Sequence, residues 1–302
     1  MIHLLRLIDL LQGIRHDITG ITINRYTQAG EQVMFDLFKR RRRQRLRAEP
    51  FPPGWLEIIK KNVPIYNHLP EADRKELQGH VGVFLAEKRF EGCGGLELTD
   101  EIRGTIAAQA CLLLLHRETD YYPRLITILV YPNAYVAKSV EPIGGRVVLE
   151  GEQIRLGEAW KSGVVVISWD DVRAAALAHT SGHNLVLHEF AHQLDMEDGT
   201  ADGTPILERR SQYVAWARVL GEEYERLRRD SALGRYTVLD EYGASDPAEF
   251  FAVATECFFE KPMLLQKKHP ELYEKLKEFY RQDPVKWINE SASIETDVGE
   301  RP

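Results

Sequence analysis

The segment His188-Glu189-Phe190-Ala191-His192 sets two imidazoles four residues apart, with a carboxylate beside the first. On an α-helix, residues four apart lie one above the other on the same face. Both rings can then turn a nitrogen toward one metal ion, and Glu189 stands where it can hold a water bound to that ion. This is the spacing of zinc hydrolases of peptide bonds. The competing reading is two core histidines bonded to carbonyls, beside a surface-leaning Glu189.

A catalytic zinc keeps three protein ligands and one open position for water. A third ligand close in sequence would be Asp198, the third-ligand position of the pattern HExxHxxGxxH. That pattern needs a glycine where this chain has Asp195. A distant third ligand would be Glu249 or Glu256, seven residues apart and so on one helical face. Glu249 falls at the third position of a helix that Asp246 caps and Pro247 opens. A glutamate there also closes ordinary capping boxes, so spacing alone leaves Glu249 open between ligand and cap. Glu256 would then hold a ring nitrogen of a ligand, or be a buried acid paired with Arg or Tyr.

These side chains need elements to carry them. Val164 to Trp169 reads as a buried strand, followed by a helical stretch near Asp171 to Ala178. Ser181 stands at an N-cap position, and Gly182 to Leu194 contains no proline and is mostly apolar. A buried helix carrying two histidines and a glutamate needs partners for them. Ile126 to Tyr131, Tyr135 to Val140 and Gly145 to Glu150 have the period of strands, with turns at Pro132-Asn133 and Pro142-Ile143-Gly144. Largely antiparallel pairing is expected, with Leu156 and Trp160 packing the connection that follows. Helices are expected at Trp55 to Asn62, Pro70 to Lys88, Glu101 to Leu115 (capped by Thr99 or Asp100), Arg209 to Arg229, Asp246 to Phe259 and Pro270 to Tyr280. Gly92, Gly94 and Gly95 argue for a turn over Phe90 to Leu96. His183 is expected off the ligand face, and His116 at a helix end. The fold class is α+β: mostly helical, with a small mixed or antiparallel sheet.

The chain has 302 residues, 44% of them hydrophobic, and a formal net charge of −7. That suffices for a sizeable core and gives no overall attraction to nucleic acid. Three scattered cysteines, Cys93, Cys111 and Cys257, make no disulfide framework and fit a reducing, cytoplasmic setting. No window is long and apolar enough to span a membrane, and the first residues lack a signal-peptide pattern. Residues 1–33 read as an extension, with a short amphipathic helix around Leu4 to Leu11 and weak strand character at Thr22 to Tyr26. Met34 is a second candidate start. Residues 34–48 form a basic arm with Lys39, Arg40, Arg41, Arg42, Arg43, Arg45 and Arg47, and the stiff Glu49-Pro50-Phe51-Pro52-Pro53 opens the body. The body covers 49–288, with a helical part at 49–125 and a sheet and site part at 126–288. An acidic tail follows at 289–302.

Three longer segments carry a resemblance: Glu87 to Gly95, Leu187 to Gly199 and Tyr242 to Val253. In this order they resemble the Mlc titration factor A family of bacterial zinc peptidases, over roughly residues 34 to 285. The family's catalytic part is similar to that of anthrax lethal factor, which implies a zincin-like core. The resemblance implies one zinc ion per chain on His188, His192 and Glu249, with Glu189 as general base and Tyr242 stabilising the oxyanion. It implies hydrolysis of peptide or arylamide bonds, of aminopeptidase type. Enterobacterial members bind the glucose repressor Mlc. A regulatory protein that sequesters a repressor, with structural zinc, is therefore the alternative.

Overall fold

The computed structural model describes residues 21–133, 163–177 and 182–290. The chain divides into two compact units, Met1–Ala48 and Glu49–Pro302. The described part of the first unit is one helix, α1 (Ile21–Ala48). Thr22 to Tyr26, expected as weak strand, lies within it, because helix propagation across a long segment outweighs the preference of a few β-branched residues.

In the second unit, α2 (Pro53–Asn62), α3 (Ile65–His68) and α4 (Glu71–Glu87) lead into a short strand, β1 (Arg89–Gly92). Helix α5 (Asp100–Leu112) returns the chain to β2 (Thr127–Tyr131). Strand β3 (Val164–Ser168) passes directly into α6 (Trp169–Leu177), followed by α7 (Leu185–Asp195) and a 3-10 turn, Met196–Asp198. Then come α8 (Gln212–Ala232), a second 3-10 turn (Glu241–Ala244), α9 (Pro247–Glu260), α10 (Pro262–Lys268) and α11 (Pro270–Tyr280). Residues 284–290 are helical, and Val285 and Trp287 seat them on the body.

The strands form a sheet of order β1-β2-β3, and both described pairings are parallel. The helical α+β class is as expected, but the largely antiparallel pairing is not what these three strands make. A parallel partner must be reached by a crossover of a dozen or more residues, and α5 supplies one between β1 and β2. The glycine-rich turn expected over Phe90 to Leu96 starts later than anticipated. Residues 89–92 pair with β2 first, and Cys93 still donates its amide to the Val130 carbonyl at 2.8 Å. The strands expected at 135–140 and 145–150, with Leu156 and Trp160, lie outside the described residues, as do residues 1–20 and Ser181.

Alternation along β2 and β3 turns Ile128, Val130, Val165 and Ile167 inward, all fully buried. Helix α5 is the hub of the core. Thr99 caps it by accepting the Ile102 amide at 3.3 Å, and every residue from Gly104 to Leu115 is buried. Beside it, Tyr122 packs edge to face with Phe84 of α4 and Phe190 of α7, at 4.9 Å between the Tyr122 and Phe190 centroids, and Phe84 and Phe190 meet tilted. The Tyr122 hydroxyl donates to the Ala110 carbonyl at 2.6 Å, so this buried polar group is satisfied. A second aromatic cluster, Trp216, Phe251 and Phe279, fixes α9 against α8 and α11. His116 is not at a helix end. It lies beyond α5 with φ 61° and meets Asp73 and Glu76 at 3.3 and 3.2 Å. The second of these acids also accepts a bond from His80, which holds the Glu76 carboxyl down to about 2 against the cost of its burial.

Candidate metal centre

Helix α7 runs through the interior, packed on α9, α5, α6 and β3. It begins at Leu185, and its cap is Asn184, whose side-chain oxygen accepts the Leu187 amide at 3.1 Å. The cap expected at Ser181 is thus three residues early. An Asn immediately before an apolar helical run, three positions from the amide it receives, was a readable signal. Helix α9 starts as its sequence indicates. Asp246 accepts the amides of Ala248 and Glu249 at 2.9 and 3.0 Å, and Pro247 occupies the first turn. The Glu249 side chain does not close a capping box; it points across to α7.

There it completes a cluster. His188 Nε2, His192 Nε2 and a Glu249 oxygen come within 4.8 Å of one another. Glu249 Oε2 lies 3.0 Å from His188 Nε2 and 3.3 Å from His192 Nε2, and the two nitrogens are 3.2 Å apart. A tetrahedral zinc at about 2.0–2.1 Å from each ligand separates its ligand atoms by roughly 3.3 Å. The triangle therefore fits one such ion. Glu249 Oε2 is buried and accepts no directed hydrogen bond, which a buried carboxylate oxygen tolerates poorly unless a cation faces it. Among the described residues this is the only group of three side chains able to share a metal ion.

The opposite side of the His188 ring is also fixed. Its Nδ1 donates to Glu256 Oε1 at 2.7 Å, and the other Glu256 oxygen accepts the Asn184 amide at 2.5 Å. Asn184 Nδ2 in turn donates to Glu260 at 2.9 Å. A carboxylate on Nδ1 sets the tautomer that leaves Nε2 its lone pair for a metal. Burial works against a charged His188, yet Glu249 and Glu256 overcome it and raise the imidazole to about 10. Burial likewise opposes ionisation of Glu249, while the two histidines bring its carboxyl down to about 2. The site is built to stabilise positive charge between these three side chains.

Asp195 and Asp198 serve elsewhere. Asp198 is exposed and accepts from the Thr200 amide and hydroxyl at 2.9 and 2.8 Å. Asp195 is fully buried and accepts the Gly203 amide at 2.8 Å. Its carboxyl is pushed up to about 6, chiefly by burial. The Gly203 carbonyl accepts from Trp216 Nε1 at 3.1 Å, and Gly203 has φ +77°. A Cβ there would run into the Pro247 carbonyl, so the loop after α7 lies directly on the first turn of α9.

Beside the triad opens a cavity of about 600 Å³, which Glu189, Tyr242 and the apolar Ala174, Ala175, Leu185 and Val253 help to line. Glu189 is buried next to His188. Tyr242 is half-exposed, its ring 6.1 Å from that of His188. Asp240 places it by accepting the Tyr242 amide at 2.7 Å, and Gly243 lets the turn sit against Leu227 and Val253. His183 is exposed, lines the same cavity without joining the triad, and meets Asp240 at 3.2 Å.

The sequence model described as Glucose-regulated metallo-peptidase M90 matches residues 37–281. An uncharacterised protein of Synechocystis is 42% identical over 245 residues, 81% of this chain and 89% of that one. Proteins named Mlc titration factor A are similar as well. That of Yersinia enterocolitica is 30% identical over 80% of this chain and 91% of its own length. That of Klebsiella pneumoniae is 32% identical over 78% and 89%.

Proposed function

Because the chain belongs to the glucose-regulated metallo-peptidase M90 family, we propose that His188, His192 and Glu249 hold one zinc ion for hydrolysis at the N-terminal end of a peptide. A buried His-Glu-x-x-His segment with a distant glutamate is a gluzincin-like centre, and the protein is a zinc metallopeptidase. The convergence of three ligand atoms at tetrahedral spacing carries this reading. Bound zinc supplies Lewis acidity and brings the pKa of a water toward about 7. Glu189, lining the cavity beside His188, takes the proton from the attacking water and returns it to the leaving amine. Tyr242 directs its hydroxyl at the oxyanion, where a fixed donor gives most in the transition state. Glu256 keeps His188 in its ligand tautomer.

The cavity supports the aminopeptidase assignment. Among the described residues its lining includes Asp171 and Asp240 and, beside His183, no Lys or Arg, so a substrate ammonium finds more counter-charge there than a carboxylate does. Chromogenic aminoacyl arylamides, tested with free and with acetylated amines on the wild type and on Glu189→Gln, decide the matter. Turnover of the free amines that vanishes in the variant is expected. Equal turnover by both proteins would remove Glu189 from the mechanism, and preference for the acetylated form would remove the N-terminal specificity.

A second reading concerns partners. Two of the similar proteins carry the name Mlc titration factor A, and we propose that this chain also binds a transcriptional regulator. Glu189→Gln that keeps such binding would separate it from catalysis. The three free cysteines fit a reducing compartment, and we propose a cytoplasmic location.

A further inference from the structure

We propose that the segment Met34 to Arg47 of α1 docks on a bilayer surface that contains anionic phospholipid. Residues 39–47 hold seven cations, in a chain whose formal net charge is −7. Positive charge is thus concentrated in one stretch of an otherwise acidic protein. Arg40, Arg41, Arg42 and Arg43 are consecutive, and on a helix four consecutive residues point all around the axis. Such a segment suits an extended anionic surface better than a single acidic pocket.

The residues just before the cations select the kind of surface. Met34, Leu37 and Phe38 stand at i, i+3 and i+4, on one face of α1. They are 45%, 44% and 61% exposed. Phe38 therefore leaves most of a large apolar side chain in water, one turn before the arginines. Arg41 and Arg45 continue the same face, and both are exposed. Arginine stems lie along an apolar boundary while their guanidinium groups reach phosphate. Apolar residues entering the interface next to a polybasic run are the two elements that together hold a protein on a membrane surface. Duplex nucleic acid would use the cations and gain nothing from the apolar trio. Among the described residues no helix is long and apolar enough to cross a membrane.

The test uses the full chain and co-sedimentation with vesicles. Phosphatidylcholine vesicles with about a third phosphatidylglycerol are compared with pure phosphatidylcholine. Binding to the anionic vesicles at least about tenfold tighter than to the neutral ones is expected, and its loss in about 0.5 M salt. Replacing Arg40, Arg41, Arg42 and Arg43 together by Gln should cost about tenfold or more. Phe38→Ser with Leu37→Ser leaves the charge unchanged and should weaken binding several-fold, about 3–10-fold. The same variants are titrated with duplex DNA, and their zinc content confirms that the body is intact. No binding to anionic vesicles, or binding indifferent to the arginines, would overturn the proposal. So would DNA binding tighter than vesicle binding, with the Phe38 and Leu37 substitutions affecting neither.

Discussion

His188 answers to two carboxylates, Glu249 on one ring nitrogen and Glu256 on the other. On the function proposed above, that arrangement separates the residues that would hold the ion from those that would use it. Replacing His188, His192 or Glu249 by alanine should cost the metal, as read by metal analysis after desalting. Glu189→Gln should keep the metal and lower turnover by about 10²–10⁴-fold. Tyr242→Phe should also keep it, with a loss of roughly 10²–10³-fold in kcat. Glu256→Gln should weaken zinc affinity by about 10–100-fold in competition with a chelator. Full affinity in that variant would leave Glu256 a bystander. The same charges fix a pH response of the metal-free protein. His188 is raised from 6.5 to about 10, so its contribution to stability is complete below 6.5 and is lost as the pH climbs through 10. Glu249 is lowered from 4.5 to about 2, so its contribution is complete above 4.5 and is lost on acidification toward 2. Melting of the zinc-free protein should therefore fall from about pH 6.5 to about pH 10, whereas zinc, which takes the place of the proton, should flatten that decline. An apo curve that rises over the interval would refute the paired charges.

At the scale of elements, the site depends on how α7 and α9 are begun and joined. Asp246 and Pro247 set the first turn of α9, and the Asp195–Gly203 loop rests on that turn. Gly203→Ala meets both a positive φ and the Pro247 carbonyl. It should destabilise the protein by about 2 kcal/mol or more and loosen zinc, because Glu249 is two residues beyond the displaced proline. Denaturant midpoints and zinc competition on one sample check both halves; a neutral midpoint would mean the loop yields freely. Much of this level was readable. The His-Glu-x-x-His helix and the Asp246-Pro247 start announce themselves through local chemistry, since caps and four-residue spacing are properties of adjacent residues. That Glu249 turns to the two histidines and not to the cap was not readable from spacing, because it depends on what lies across from α9. Nor was the direction of strand pairing, which is set by partners far away in sequence. Strand β1 escaped notice because four residues that end on Gly92 and run on to Gly94 and Gly95 carry no period.

For the whole molecule, a zinc ion held by His188, His192 and Glu249 would be a cross-link between two helices that are remote in sequence. Ligand binding to the folded state alone stabilises by RT ln(1 + [L]/Kd), about 4 kcal/mol at a thousandfold excess over Kd. Zinc added to stripped protein should therefore raise Tm by several degrees, roughly 2–4 °C per kcal/mol at this size. The rise should be absent in Glu249→Ala, as differential scanning fluorimetry would show; an equal rise in that variant would place the stabilising ion elsewhere.

The distance along the chain between those helices also bears on synthesis. A nascent polypeptide carries both imidazoles once residue 192 has left the ribosome, but neither Glu249 nor the Glu256 that steadies His188. Until α9 emerges and docks, the half-made protein offers the ion two loose nitrogens and no enclosed carboxylate. A polypeptide terminated before residue 249 would therefore lack the third of the three side chains that converge at the site.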